Sequence, residues 1–441
     1  MPMHPAPMAT LIAALAIGAP ATALAQHGGQ PADVRDSTAG ARSNGWHVMV
    51  QAIPVLTHAQ NTAEGADLTE GYLSQTMVMG GASLLAGHLR FDVTLNAEGL
   101  TMERGELSTG SFGEGYVDRR HPHTYLHEAV ATGVGALGPL TFSLSAGRGF
   151  AAFGTDDPMA RPFEKYPINH HLSQILERPM VTGAVRFGPA IVEGSTFGGD
   201  EPTSAGSPPL MRRFGDSWSM RATALPTAGV ELQGSYARVA SPENREGFGL
   251  DQRKRSISAR LISKNGGRYL LAEWARTVER DHNRDEDVFA FESALLEGSA
   301  TVRGVSLALR LEQTERPEEE RLSDPFRVPR PAADLGISGV TRWRTATVAL
   351  MLPSPIIGPI RGYPFIELER TNARAKDARS VFDAQAFYGT SSPWMATAGV
   401  RLRFGPVHAR MGRYGVALPG GPAIRALGTP DGDSSSSHRH D

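Results

Sequence analysis

The stretch Leu89-Arg90-Phe91-Asp92-Val93-Thr94-Leu95-Asn96 alternates apolar and polar residues without a break. A period of two sends Leu89, Phe91, Val93 and Leu95 to one face of a strand and Arg90, Asp92, Thr94 and Asn96 to the other. The pattern recurs along the chain. Trp218, Met220, Ala222 and Ala224 are set against Ser217, Ser219, Arg221 and Thr223, and Val230 and Leu232 against Glu231 and Gln233. Ile257, Ala259 and Leu261 oppose Ser256, Ser258 and Arg260, while Val305, Leu307, Leu309 and Leu311 oppose Ser306, Ala308, Arg310 and Glu312. Val400, Leu402 and Phe404 close the series against Arg401 and Arg403. Beyond the N-terminus no stretch reaches the roughly eighteen consecutive apolar residues of a membrane-spanning helix. The chain reads as all-β.

The connections fall into two kinds. Short turns are read at Leu137-Gly138-Pro139, Phe187-Gly188-Pro189, Pro226-Thr227-Ala228-Gly229, Asn265-Gly266-Gly267, Gly358-Pro359 and Phe404-Gly405-Pro406. Long connections rich in charge, Pro, Gly, Asn and Ser cover 149–178, 198–216, 239–254, 278–286, 313–336 and 371–393. Short turns at one end and long loops at the other predict an antiparallel transmembrane β-barrel, with short periplasmic turns, long polar outer loops and about twelve to sixteen strands. On that fold the apolar set faces lipid. The polar set, with Arg90, Arg221, Arg260, Arg310, Arg401 and Arg403, faces a wet lumen. A soluble β-sandwich, with the apolar set turned inward, is the alternative.

Residues 1–25 read as a signal peptide, with an Ala-rich apolar run from Met8 and small residues at Ala23 and Ala25 before the cleavage point. A flexible leader spans 26–44, the barrel 45–416, and a low-complexity tail 417–441. The net charge of −2 steers the chain toward no nucleic acid. With no cysteine in 441 residues, disulfides, thiolate metal sites and cysteine nucleophiles are excluded together.

The densest chemistry lies in 116–129. His121, His123, Tyr125 and His127 share one parity, so a strand would point all four the same way, and a helix opening at Pro122 would still set His123 and His127, four residues apart, on one face. His170 and His171 form a second cluster at the end of a long loop. Converging imidazoles suit Zn(II) or Cu(II). The other reading is a polar lumen network in which Asp118, Arg119, Arg120, Tyr125, Glu128 and the imidazoles satisfy one another's hydrogen bonds. The Arg- and His-rich segment 112–126 makes a poor lipid-facing strand and is expected to fold inward as a constriction.

Five short motifs occur in order: Asp118-Arg119-Arg120-His121-Pro122-His123; His170-His171; Glu193-Gly194-Ser195-Thr196-Phe197 with Glu201-Pro202; Asp216-Ser217-Trp218-Ser219; and Ser241-Pro242-Glu243. Together they resemble a family of uncharacterised Gram-negative outer-membrane proteins whose hallmark is Asp-Arg-Gln-His-Pro-His-Asp, often found in genomic company with heavy-metal or copper efflux systems. The resemblance covers about residues 105–245. Here Arg120 stands in place of the Gln and Thr124 in place of the final Asp, and a further family histidine is missing from Ile175-Leu176-Glu177-Arg178. The resemblance implies an outer-membrane barrel linked to metal handling, and no reaction.

Enzyme signatures fail. Gly194 directly precedes Ser195, which breaks the Gly-x-Ser-x-Gly elbow, and His127-Glu128-Ala129-Val130-Ala131 lacks the second His of a zinc hydrolase. The chain is therefore read as a non-enzymatic, porin-like channel of the cell outer membrane. Its expected partners are membrane lipid, the barrel-assembly machinery and a small polar solute or metal ion. A metal-binding barrel without transport and an exported structural or adhesive β protein without a pore are the alternatives.

Overall fold

The computed structural model describes residues 45–63, 66–102, 107, 123–155, 158–168, 170–202, 204–242, 244–319, 337–353, 356–357, 360–376, 383–405 and 411–418. The expected signal peptide and leader, the motif residues Asp118, Arg119, Arg120 and His121, and most of the tail lie outside these. Seventeen strands are found among the described residues, all in one antiparallel sheet. They are β1 (Gly45–Ala63), β2 (Ala66–Leu84), β3 (Leu89–Asn96), β4 (Leu126–Leu137), β5 (Leu140–Gly149), β6 (Arg178–Phe187), β7 (Ala190–Gly198), β8 (Phe214–Thr227) and β9 (Val230–Val239). There follow β10 (Asp251–Ile262), β11 (Arg268–Asp281), β12 (Glu286–Val302), β13 (Val305–Glu319), β14 (Ile337–Met351), β15 (Ile356–Ile357), β16 (Ile360–Ala375) and β17 (Trp394–Phe404).

Each long strand pairs with its sequence neighbours. The two-residue β15 lies only against β16, while β14 pairs directly with β16, so sixteen strands form the wall. The wall closes where β1 pairs with β17, from Val50 opposite Phe404 to Ala59 opposite Met395. A closed sheet has no edge, and this excludes the sandwich.

The period of two is realised as read. Leu144 is 61% exposed and Leu309 47%, whereas Thr57, Thr132, Thr341 and Thr347 are fully buried and Arg310 and Arg401 are 1% exposed. An apolar outside around a polar inside inverts a soluble protein, and such a continuous apolar surface belongs in lipid.

The turns bear out the sequence at four places. Gly138, Gly188, Gly229 and Gly266 all take positive φ in hairpin turns. Gly358-Pro359 lies outside the described residues. Gly405 follows the end of β17, and among the described residues no strand comes after it, a departure from the expected turn. The expected long loop at 278–286 shrinks to a four-residue hairpin, 282–285, because β11 and β12 pair out to Asp281 and Glu286.

Lipid placement gives a depth-dependent expectation. Leu309→Arg, within the apolar belt, should cost about 2–4 kcal/mol of unfolding free energy in vesicles, while Gln313→Arg, four residues further toward the loops, should cost about 1 kcal/mol or less. Equal costs by denaturant unfolding would refute the placement of the belt.

Candidate functional site

The inside of the barrel is crossed by the connection between β5 and β6, residues 150–177. Its composition suggested an outer loop, yet Phe150, Phe153, Phe163, Arg161, Glu164 and Lys165 are all buried. The polar inner wall supplies its partners strand by strand. The N–H groups of Ala152 and Gly154 donate to Ser195 Oγ on β7 (2.8 Å) and Ser235 Oγ on β9 (3.0 Å). Thr155 donates to Glu273 on β11, and Arg161 lies 3.6 Å from Glu273 and 3.7 Å from Glu297 on β12. Arg401 on β17 donates to the Phe163 carbonyl at 3.0 Å, and Arg310 on β13 donates to that of Lys165 at 2.8 Å. The Glu164 N–H donates to Glu367 on β16 at 3.0 Å, and the Ile168 N–H to Glu312 on β13 at 2.9 Å. Lys165 Nζ reaches the Tyr72 hydroxyl on β2. The segment is thus tied to both halves of the wall.

Gly154 is a pivot of this path. Its φ of +65° and its closeness to the Ser173 carbonyl, 1.6 Å from where a Cβ would stand, leave no room for a side chain. Its carbonyl accepts from Arg221 at 3.1 Å.

A second segment, 411–418, enters the lumen beyond β17. Arg413 donates to Thr223 (3.0 Å) and to Glu231 (2.9 Å). The Tyr414 hydroxyl donates to Glu128 at 2.7 Å and accepts the Phe150 N–H at 3.0 Å. Arg221, in a bidentate bond to Glu193 (2.7 and 2.6 Å), also donates to the Gly412 carbonyl. Two inserted segments therefore share one wall arginine.

The histidines meet beside the crossing segment. His123 and His127 have ring centroids 5.2 Å apart, and His123 and His170 are 5.7 Å apart, with Tyr166 5.4 Å from His123. His123 Nδ1 lies 3.0 Å from Glu98 Oε2, and His127 Nδ1 lies 2.6 Å from Glu177 Oε1. The shared parity fails for Tyr125, which is 42% exposed. Strand β4 begins only at Leu126, and the register against β3 slips between Thr94 and Leu95, so that both His127 and Glu128 are buried. Glu128 is hydrogen-bonded to Thr94 and Tyr414 and feels the charge of His127 beside it. His171 shares the helical turn His170–Ser173. Among the described residues no three His, Asp or Glu groups could hold a metal ion, so the expected Zn(II) or Cu(II) site finds no support there.

The inward segment is 150–177; of the expected constriction at 112–126, only 123–126 lies among the described residues. Glu98, Tyr166, Arg161, Lys165 and Tyr414 were not singled out from sequence. A loop made to meet a polar lumen has the composition of one made to meet water. The run Phe150-Ala151-Ala152-Phe153 was the available signal, being too apolar for an outer loop.

No family model matches the chain, and no curated protein sequence matches it. Among solved structures, the anion-selective porin from Comamonas acidovorans is similar, with 11% identity and a TM-score of 0.49 over 82% of this chain and all of that one. Salmonella typhi OmpF in complex with daunomycin gives 11% identity and a TM-score of 0.48 over 82% of this chain and 98% of that one. The outer-membrane channel DcaP of Acinetobacter baumannii gives 8% identity and a TM-score of 0.43 over 82% and 97%.

The two carboxylates that hold the imidazoles set a pH expectation. Burial pushes Glu98 up, but its bonds to His123, Asn96 and the Gln75 N–H outweigh this and hold it below the ordinary value of 4.5. Burial likewise opposes Glu177, and the His127 bond with the nearby charges of His123 and Arg148 again prevails. A carboxyl depressed on folding contributes fully above its unfolded value and loses that contribution as pH falls through the depressed one. Amide exchange protection in 150–177 should therefore hold from pH 7 to pH 5 and decline below 4.5. Glu177→Gln should speed exchange there at neutral pH by about ten- to a hundredfold, as expected for about 1–3 kcal/mol lost with a buried charged partner. Unchanged exchange in that variant would count against the clamp.

Proposed function

We propose that this chain is a porin-like channel of an outer membrane, narrowed by segment 150–177 and passing small polar solutes. The single observation that carries the proposal is the crossing segment itself, held by Arg310, Arg401, Glu312 and Glu367 on the inner wall. A barrel serving only as an anchor needs no polar lumen. Here charged side chains ring a constriction where they can sort what passes. Export and insertion by the barrel-assembly machinery belong to the same proposal, and no reaction is assigned to the chain.

The resembling motifs support the placement. Glu193 takes Arg221 and Ser195 takes the Ala152 N–H, so one motif anchors the crossing segment. Glu201 pairs with Arg178 at 2.6 Å, and Asp216 with Arg213 at 2.8 Å, bracing the loops above that sector.

Transition-metal handling is the second reading, favoured by the two imidazoles whose Nδ1 atoms face carboxylates, the arrangement that orients metal-ligating histidines. The described residues do not complete such a site, and His121 lies outside them. If a variant with His123, His127 and His170 all changed to Ala binds Zn(II) and Cu(II) as tightly as the parent, this reading is lost.

The channel is tested in two steps. The full chain, expressed in a Gram-negative host, should fractionate with the outer membrane and run faster unboiled than boiled on a denaturing gel. In a planar bilayer the parent should give small, steady conductance steps, and replacing 152–174 by a short Gly/Ser hairpin should enlarge them several-fold. A barrel that inserts but conducts in neither form would be a structural or adhesive protein instead.

A further inference from the structure

The outward face carries a groove that conduction does not use. It has a volume of about 530 Å³ and lies across β12, β13, β14 and β16, where the apolar belt ends on the loop side. Its floor is formed by Ala294, Leu296, Leu311 and Ala346, small or apolar side chains on the lipid face. Its rim carries Arg344 and Arg370. Cross-strand register fixes these positions, since Leu296 stands opposite Leu311, Leu311 opposite Ala346, and Ala346 opposite Arg370. Arg344 stands opposite Asn372, which makes the two arginines diagonal neighbours across β14 and β16, about 7–8 Å apart at Cα.

These two guanidinium groups differ from Arg276 and Arg342, two outward arginines nearby. Arg276 is paired with Glu292 at 2.9 Å, and Arg342 with Glu315 at 2.7 Å. Arg344 instead donates its Nε to the neutral Gln313 at 2.9 Å, and Arg370 its Nε to the neutral Ser392 at 2.9 Å. Among the described residues no carboxylate pairs with either. Each fork is held in place by a neutral acceptor, with both Nη groups left for an anion. Two such forks over an apolar floor match a phosphate attached to acyl chains.

We infer that this groove binds a phosphorylated, multiply acylated glycolipid of the lipid A type, seated with acyl chains on Leu296, Leu311 and Ala346 and a phosphate bridging Arg344 and Arg370. The glycolipid is chosen over a glycerophospholipid by position. The site opens on the long-loop side, and in an outer membrane the phosphate-bearing lipid of that leaflet is this glycolipid. The inference rests on the outer-membrane placement proposed above but not on conduction. A chain that conducts nothing yet holds the lipid leaves it standing, whereas recovery in the soluble fraction ends both.

The test is native mass spectrometry of the purified full chain, stripped of lipid in detergent and titrated with bis-phosphorylated lipid A. One lipid per chain should be retained, and the double variant Arg344→Gln, Arg370→Gln should bind at least tenfold more weakly. Arg276→Gln with Arg342→Gln, which removes two paired cations from the same band, should leave binding unchanged. Each variant is first shown to keep the unboiled gel shift. Dephosphorylated lipid A and phosphatidylglycerol should both bind at least tenfold more weakly than the parent ligand. Undiminished binding by the Arg344/Arg370 variant, equal loss in the control, or equal binding of phosphatidylglycerol would each overturn the assignment.

Discussion

The hydrogen bonds between β1 and β17 are the constraint from which the rest follows. In hydrocarbon an unpaired backbone N–H or C=O costs several kcal/mol, so a sheet is stable there only if it has no edge. Closure from Val50 opposite Phe404 to Ala59 opposite Met395 removes the edge. The last strand must then leave the wall beneath the first. Gly405 does so with φ +85°, in a place where a Cβ would stand 2.2 Å from the Val48 carbonyl. Once the wall is closed, parity has no freedom left, and the polar half of each strand must share one enclosed space.

That space is what makes the crossing segment possible. Buried charges such as Arg161, Glu273, Glu297 and Arg310 give back little net stability, because desolvation offsets most of the attraction. What they supply is geometry. A backbone carbonyl of 150–177 in the lumen needs a donor, and the wall provides guanidinium groups at fixed heights. Segment 411–418 uses the same means, and Tyr414 joins it to the start of the crossing segment and to Glu128 on β4. The inserted chain is thus held by the wall's side chains while its own backbone forms no strand with it.

How far this was legible from sequence depends on which rule was acting. Alternation in 89–96, 217–224 and 305–312 fixed strands and faces, since a period of two has one structural meaning. Four glycine turns followed from positive φ. In the histidine segment the imidazoles gather as read, but the shared parity fails at Tyr125, because β4 starts at Leu126 and a bulge shifts parity at His127. The course of 150–177 was hidden for a different reason. Polar composition marks contact with polar surroundings, and a lumen and the outside solvent are equally polar. Closure of the wall, a contact between positions about 340 residues apart as at Thr57 and Thr397, is likewise invisible to any local pattern.

Alternation also binds the two sides of the wall together. Glu312 faces inward and takes the Ile168 N–H, while Gln313, the next residue, faces outward and holds Arg344. On β16 the inward Glu369 is followed by the outward Arg370. A slip of one residue in β16 would turn Glu369 toward lipid and Arg370 into the lumen at once, and one in β13 would exchange Glu312 and Gln313 in the same way. The register is therefore fixed from both faces. The crossing segment on one side and the groove on the other are two consequences of the same strand pairing.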